Sequence, residues 1–163
     1  MAKENGDNEQ TEAREYKVLV AVDFSPSAAR ALRMANSIMG RKPDQILVMH
    51  VIDCNFVEKC ANSQIGTEKN IRETLFLQAK KSLSDFLRFE GMEDESIKKL
   101  ICEGIPFLEI NKKAVEYGVD MVIMGNRGNS GDMQTIFFGS TTEKVLRFMN
   151  RPVLCVPIEQ DRK

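Results

Sequence analysis

The chain contains no tryptophan and one histidine, His50, in 163 residues. Its four cysteines, Cys54, Cys60, Cys102 and Cys155, form no CxxC pair. A structural zinc site needs Cys and His ligands at closer spacing, so this chemistry is excluded. No apolar run reaches the ~20 residues that cross a bilayer as a helix. The first residues, MAKENGDNEQTEARE, lack the apolar core of a signal peptide. The expectation is a cytoplasmic protein with no membrane partner. Neither sign of charge is in excess: 23 Lys and Arg face 24 Asp and Glu, a net charge of −1. Without a basic surplus, no nucleic-acid partner is expected. The pairs Lys80-Lys81 and Lys98-Lys99 read as solvated helix faces with acids nearby. Two nucleotide fingerprints are also missing. There is no GxxxxGK[ST], which excludes a Walker A loop, and no GxGxxG after an early strand, which argues against a dinucleotide fold.

What is present is ordinary for a globular domain, with 42% hydrophobic and 29% charged residues. One domain is expected over residues 15–158, between polar tails at 1–14 and 159–163. Short apolar runs, YKVLVAV (16–22), QILVMHVID (45–53) and MVIM (121–124), read as buried strands, 97–102 as a less apolar strand nearer an edge, and VLCVP (153–157) as a short last strand at a sheet edge. Helical patterns separate them. Ser25-Pro26 is a helix start, because the hydroxyl caps a free N–H and proline has none to leave orphaned. The residues Ala28, Ala31, Leu32, Ala35, Ile38 and Met39 then form one inward stripe. Thr67 caps a long helix that Gly91 stops, and Gly104-Ile105-Pro106 turns into another that Gly118 stops. Residues 54–66 read as an irregular loop in which Cys54 and Cys60 are candidate exposed thiols; Cys102 and Cys155 read as core fillers. The order βαβαβαβαβ predicts a single-domain α/β fold, doubly wound around a parallel sheet.

The informative stretch is GNRGNSGDMQTIFFGST, residues 125–141, with four glycines in its first fifteen positions. It follows a buried strand and opens a helix. Glycines there let main-chain N–H groups converge as an anion nest, and a helix N-terminus adds more donors and a positive dipole end. Arg127 supplies a forked cation, and Ser140, Thr141 and Thr142 supply hydroxyls. The set suits a phosphate chain. Ser140-x-x-Glu143 also reads as a capping box, so Ser140 has a purely local explanation too. Asp23 follows the first strand, where ligands of doubly wound sheets bind, but a residue two before Ser25 can equally organise a turn. His50 alternates away from Val51 and is expected to make a buried hydrogen bond. No side chain is placed as a base or nucleophile for hydrolysis, so no catalytic residue is expected.

Taken together, VLVAVDFSPSAARAL, ILVMHVID, EGIPFLEINKKAVEYGVDMVIMGNRG and GSTTEKVLRFMNRPVLCVP resemble the universal stress protein family over residues 16–157, nearly the whole chain. The resemblance implies a three-layer sandwich, similar to the adenine nucleotide alpha hydrolase fold, with strand order 3-2-1-4-5. It implies ATP, with Mg²⁺ carried on the nucleotide phosphates, as ligand. Val22 and Asp23 would line the adenosine end, and Val51 would contact adenine. Gly125, Arg127, Gly128, Gly139, Ser140 and Thr141 would cradle ribose and phosphates. It further implies a homodimer through the last strand, by Val153, Leu154, Cys155 and Val156, and a non-catalytic stress regulator or sensor. In ATP-binding members the loop reads Gly, two residues, Gly, nine residues, Gly, then Ser or Thr. Here ten residues, 129–138, separate Gly128 from Gly139. The extra residue is expected near Asn129-Ser130-Gly131 as a local bulge. A dimeric interaction module without tight nucleotide binding is the alternative, motivated by that residue and by Phe137-Phe138. An enzyme of adenylate chemistry is the third reading.

Overall fold

A computed structural model describes residues 15–40, 42, 45–63, 66–128 and 138–158. Five parallel strands, β1 (Val18–Ala21), β2 (Ile46–Asp53), β3 (Lys98–Gly104), β4 (Met121–Gly125) and β5 (Val153–Val156), form one sheet in the order β3-β2-β1-β4-β5. Five helices join them: α1 (Pro26–Ile38), α2 (Cys54–Asn62), α3 (Glu68–Phe89), α4 (Pro106–Glu116) and α5 (Ser140–Phe148). The expected architecture and strand order are those observed.

Alternation along the central strands builds the two cores. Val18, Val20, Ile46, Val48 and Ile123 pack with Ala28, Leu32, Leu83 and Leu87 of α1 and α3. Leu19, Leu47, Met49, Val122 and Met124 pack with Ile110, Ala114 and Val145 of α4 and α5 on the other face. Val18, Leu19 and Val20 are fully buried. Each such side chain contributes roughly 1.5–3 kcal/mol relative to exposure, which explains why these strands read as continuous apolar runs.

The helix starts follow their caps. Ser25 Oγ accepts the Ala28 N–H at 3.2 Å with Pro26 beside it, and Thr67 Oγ1 accepts the Asn70 N–H at 3.3 Å. Gly91 (φ +67°) and Gly118 (φ +59°) follow α3 and α4 in the left-handed region.

Four expectations need correction. Residues 54–62 are helical, because the Asp53 carboxylate accepts the Asn55 N–H at 2.9 Å and Val57 packs, fully buried, with Ile52 and Ala79. One buried apolar residue in nine leaves almost no periodic trace. Cys54 and Cys60 are therefore half-buried on α2; all four cysteines are free thiols, and Cys102 and Cys155 are half-buried against the α4–α5 core. Ile38 is 47% exposed at the end of α1, where Met39 takes the inward place. Lys98 and Lys99 open the edge strand β3 rather than lying on a helix, and the Lys98 ammonium sits 4.2 Å from the Tyr117 ring centre. Among the described residues, no helix is long and apolar enough to cross a membrane.

Candidate functional site

β1 lies between β2 and β4, so the strand order reverses at β1, and the carboxyl ends of these strands open a crevice. Ligands of open α/β sheets bind at this kind of position. A cavity of about 190 Å³ occupies it. One part is apolar, walled by Ala21, Met49, Val51, Pro106, Ile110 and Met124. The other is polar, bordered by Asp23, Arg127, Gly128, Gly139, Ser140, Thr141 and Thr142. Val22, His50 and Gly125 complete the border. The nine residues singled out as nucleotide-binding, drawn from three segments of the chain, thus surround one cavity.

The glycines have separate reasons. A Cβ on Gly125 would fall 2.1 Å from Ser27 Oγ and 2.8 Å from Ser27 Cβ, so this glycine lets α1 approach β4. A Cβ on Gly128 would fall 2.7 Å from Asp23 Oδ2. At Gly139 it would fall 3.3 Å from the Gly128 main-chain nitrogen. The Gly139 N–H donates to the Asn126 carbonyl at 2.9 Å, and the Asn126 N–H donates to Val156 at 3.0 Å. The two ends of the glycine loop are therefore joined at its base, and one amide read as a ligand donor, that of Gly139, holds the loop instead. The expected bulge at 129–131, and Phe137, lie outside the described residues; Phe138 is 50% exposed.

The capping box is also corrected. Gly139 is the residue before the first turn of α5, and no side chain caps that end. Ser140 occupies the first helical position, where its hydroxyl is past the reach of the cap geometry. Ser140 and Thr141, in a first turn whose N–H groups have no intrahelical acceptor, border the cavity. Buried Thr142 donates its hydroxyl to the Gly125 carbonyl at 3.0 Å, tying α5 to the end of β4.

Asp23 serves the turn as well as the cavity: its Oδ1 accepts the Ser25 N–H at 3.1 Å. Phe24, next in the chain, has φ +64°, a region that strains a non-glycine residue and recurs at functional sites. His50 lies across β2 from Val51. Its Nδ1 is 2.8 Å from the Val22 carbonyl oxygen, and its ring stacks on Phe24 at 4.4 Å between centres. Burial holds its pKa below the ordinary value of 6.5, against the opposing pull of the Val22 hydrogen bond and the Asp23 charge.

Met49, Pro106, Ile110 and Met124 escaped the sequence reading. Met49 was accessible by strand period, two residues before Val51 on the same face. Pro106 and Ile110 share a helix face at i, i+4, but nothing in the sequence turns that face toward β2. Among the described residues, no group of three or more His, Cys, Asp and Glu side chains clusters to hold a metal.

A doubly wound sheet whose polar crevice lies at the reversal of strand order defines a class of α/β ligand-binding domains. The universal stress protein family matches residues 16–157, and the chain belongs to that family. Universal stress protein MJ0577 of Methanocaldococcus jannaschii is 31% identical over 154 residues, covering 86% of this chain and 93% of the relative. Its solved structure matches with a TM-score of 0.75 at 30% identity, over 90% of this chain and 98% of that one. Universal stress protein YxiE of Bacillus subtilis is 27% identical over 156 residues, 86% of this chain and 97% of the relative. A universal stress protein solved in complex with cAMP shares the fold, with a TM-score of 0.54 at 20% identity, over 87% of this chain and 96% of that one.

Proposed function

We propose that this universal stress protein binds an adenine nucleotide, ATP with Mg²⁺, in the crevice between β1 and β4, and acts as a non-catalytic regulator in the cytoplasm. One observation carries the reading: Asp23, Arg127, Gly128, Ser140 and Thr141 converge with the uncapped start of α5 on a single cavity whose other part is apolar. An apolar slot suits a base, hydroxyls and a guanidinium suit ribose and phosphate, and a helix N-terminus attracts anions. The cavity volume, about 190 Å³, is below the ~300–1,000 Å³ of clefts that enclose a whole drug-sized ligand. The nucleoside is held inside and the phosphates lie toward the loop. Mg²⁺ is carried by phosphate oxygens and water, as its hard, hydrated character favours. Among the described residues at the polar end the carboxylate is Asp23, whose Oδ1 already accepts the Ser25 N–H, so occupancy rather than turnover is taken as the signal.

The protein acts as a homodimer through Val153, Leu154, Cys155 and Val156, since among the described residues β5 is the last strand of the sheet and pairs on one side only, with β4.

The experiment is to release small molecules from the purified protein, look for adenine absorbance, and titrate ATP with cAMP as competitor. Retained nucleotide, or saturable ATP binding that Arg127→Ala weakens at least tenfold, supports the reading; loss of a charged hydrogen bond is worth about that much. No retained nucleotide and no binding at millimolar ATP overturns it, and leaves the interaction module of the same fold.

A further inference from the structure

The carboxyl end of β1 is held by a side chain of β2. The Val22 N–H donates to the Met49 carbonyl at 2.8 Å. In a parallel ladder the next rung would run from the Val51 N–H to the Val22 carbonyl. Among the described residues that rung is not made; the Val22 carbonyl lies 2.8 Å from Nδ1 of His50. A carbonyl can only accept, so Nδ1 carries the hydrogen, and the neutral ring is the Nδ1–H tautomer. Burial favours that neutral form.

The same imidazole grips the chain on the far side of Asp23. Phe24 stacks on it at 4.4 Å with 29° between the planes, and packs edge-on against Phe86 of α3 at 5.7 Å. This explains how Phe24 keeps φ +64°: a strained backbone persists where its surroundings fix it. The residue between the two grips is Asp23, whose Oδ1 takes the Ser25 N–H and whose Oδ2 lies over Gly128.

We propose that His50 is a positioning residue of the nucleotide site: it ends the β1–β2 ladder at Val22 and fixes the Val22–Asp23–Phe24 turn, so that the Asp23 carboxylate is aimed over Gly128 and the Val51 main chain is left facing the cavity. The inference rests on the nucleotide reading for its consequence, though not for its geometry. His50 also borders the cavity; in this scheme its effect on the site runs through Asp23.

The test uses the full chain, with variants His50→Ala, His50→Phe, His50→Asn, Asp23→Ala and the double variant His50→Ala/Asp23→Ala. Amide NMR of the nucleotide-free protein reads Gly128, and calorimetry reads ATP affinity. The phenylalanine variant keeps the stack and loses the donor, so it stands in if the alanine variant does not fold. Asparagine can place an amide donor near the position of Nδ1. Removing the donor is expected to shift the Gly128 amide resonance and to weaken ATP about tenfold, the scale of one hydrogen bond. His50→Asn is expected to restore both. In the Asp23→Ala background, His50→Ala is expected to cost less than about twofold more, the mark of two residues acting as one unit. An unmoved Gly128 resonance, or an undiminished loss in that background, overturns the proposal. If the unaltered protein binds no ATP, the nucleotide reading fails by itself, and the Gly128 resonance still decides whether His50 aims Asp23.

Discussion

The carboxylate of Asp23 lies over the α-carbon of Gly128, so close that a Cβ there would come within 2.7 Å of Oδ2. The two residues stand on adjacent strands' ends, 105 positions apart in the chain, and bring the first βα turn against the glycine loop. Gly128 is not in the left-handed region. Alanine at 128 is therefore expected to displace the Asp23 side chain rather than strain the backbone. A thermal melt should move little, within about 0.5 kcal/mol, as for other exposed positions. ATP affinity should fall about tenfold if Asp23 holds ligand.

The same substitution three residues earlier has the opposite signature. Gly125→Ala would drive a methyl into Ser27, whose Oγ, Cβ and main-chain carbon all lie within 2.9 Å of it. Ser27 is fully buried at the start of α1. Overpacking of this kind costs about 1–3 kcal/mol, to be measured by urea unfolding. Adding Ser27→Ala should recover only part of that loss, because the Ser27 Cβ remains 2.8 Å away. Full stability in Gly125→Ala would mean that α1 does not pack as described.

These two glycines also mark how far the sequence could be read. The spacing of Gly125, Gly128, Gly139 and Ser140 located the loop, but sequence treats every glycine alike. Only packing separates Gly125, which admits α1, from Gly128, which admits a carboxylate, and from Gly139, whose N–H is used by Asn126. The central strands β1, β2 and β4 were legible because most of their residues are buried on both faces, whereas β3 and β5, half-buried at the sheet edges, were read from shorter apolar runs between helical patterns. Helix α2 was not, since a single buried valine in nine residues gives no period. Ser140 with Glu143 carried a valid capping-box signature that the chain does not use, because the helix begins one residue earlier than the signature implies. Pro106 and Ile110 were out of reach for a different reason: which strand faces a helix is a property of the topology.

The stability of the fold should fall with acid through His50. Its pKa lies below 6.5 in the folded protein, chiefly from burial. The unfolded chain therefore binds the proton more readily, and ΔG of unfolding rises with pH across this window. The contribution is fully present above about pH 6.5 and is lost as pH falls through the folded value. Melts between pH 7.5 and 5 should steepen in the unaltered protein relative to His50→Asn, which cannot titrate. Parallel curves for the two proteins would show that another group carries the acid sensitivity.

The open edge of β5 gives the last prediction. The Pro152 carbonyl accepts from Val122 and the Val156 carbonyl accepts from Asn126, each at 3.0 Å. Main-chain groups alternate along a strand, so Pro152, Leu154 and Val156 face β4, while Val153 and Cys155 face away from the sheet. Proline at 155 would remove an outward N–H that β4 does not use, a position where edge strands tolerate it. The proposed dimer should then sediment as a monomer with its sheet intact by far-ultraviolet circular dichroism. Leu154→Pro should instead cut the β4–β5 ladder and lower the melting temperature. If Cys155→Pro stays dimeric, the two copies do not join through the main chain of this strand.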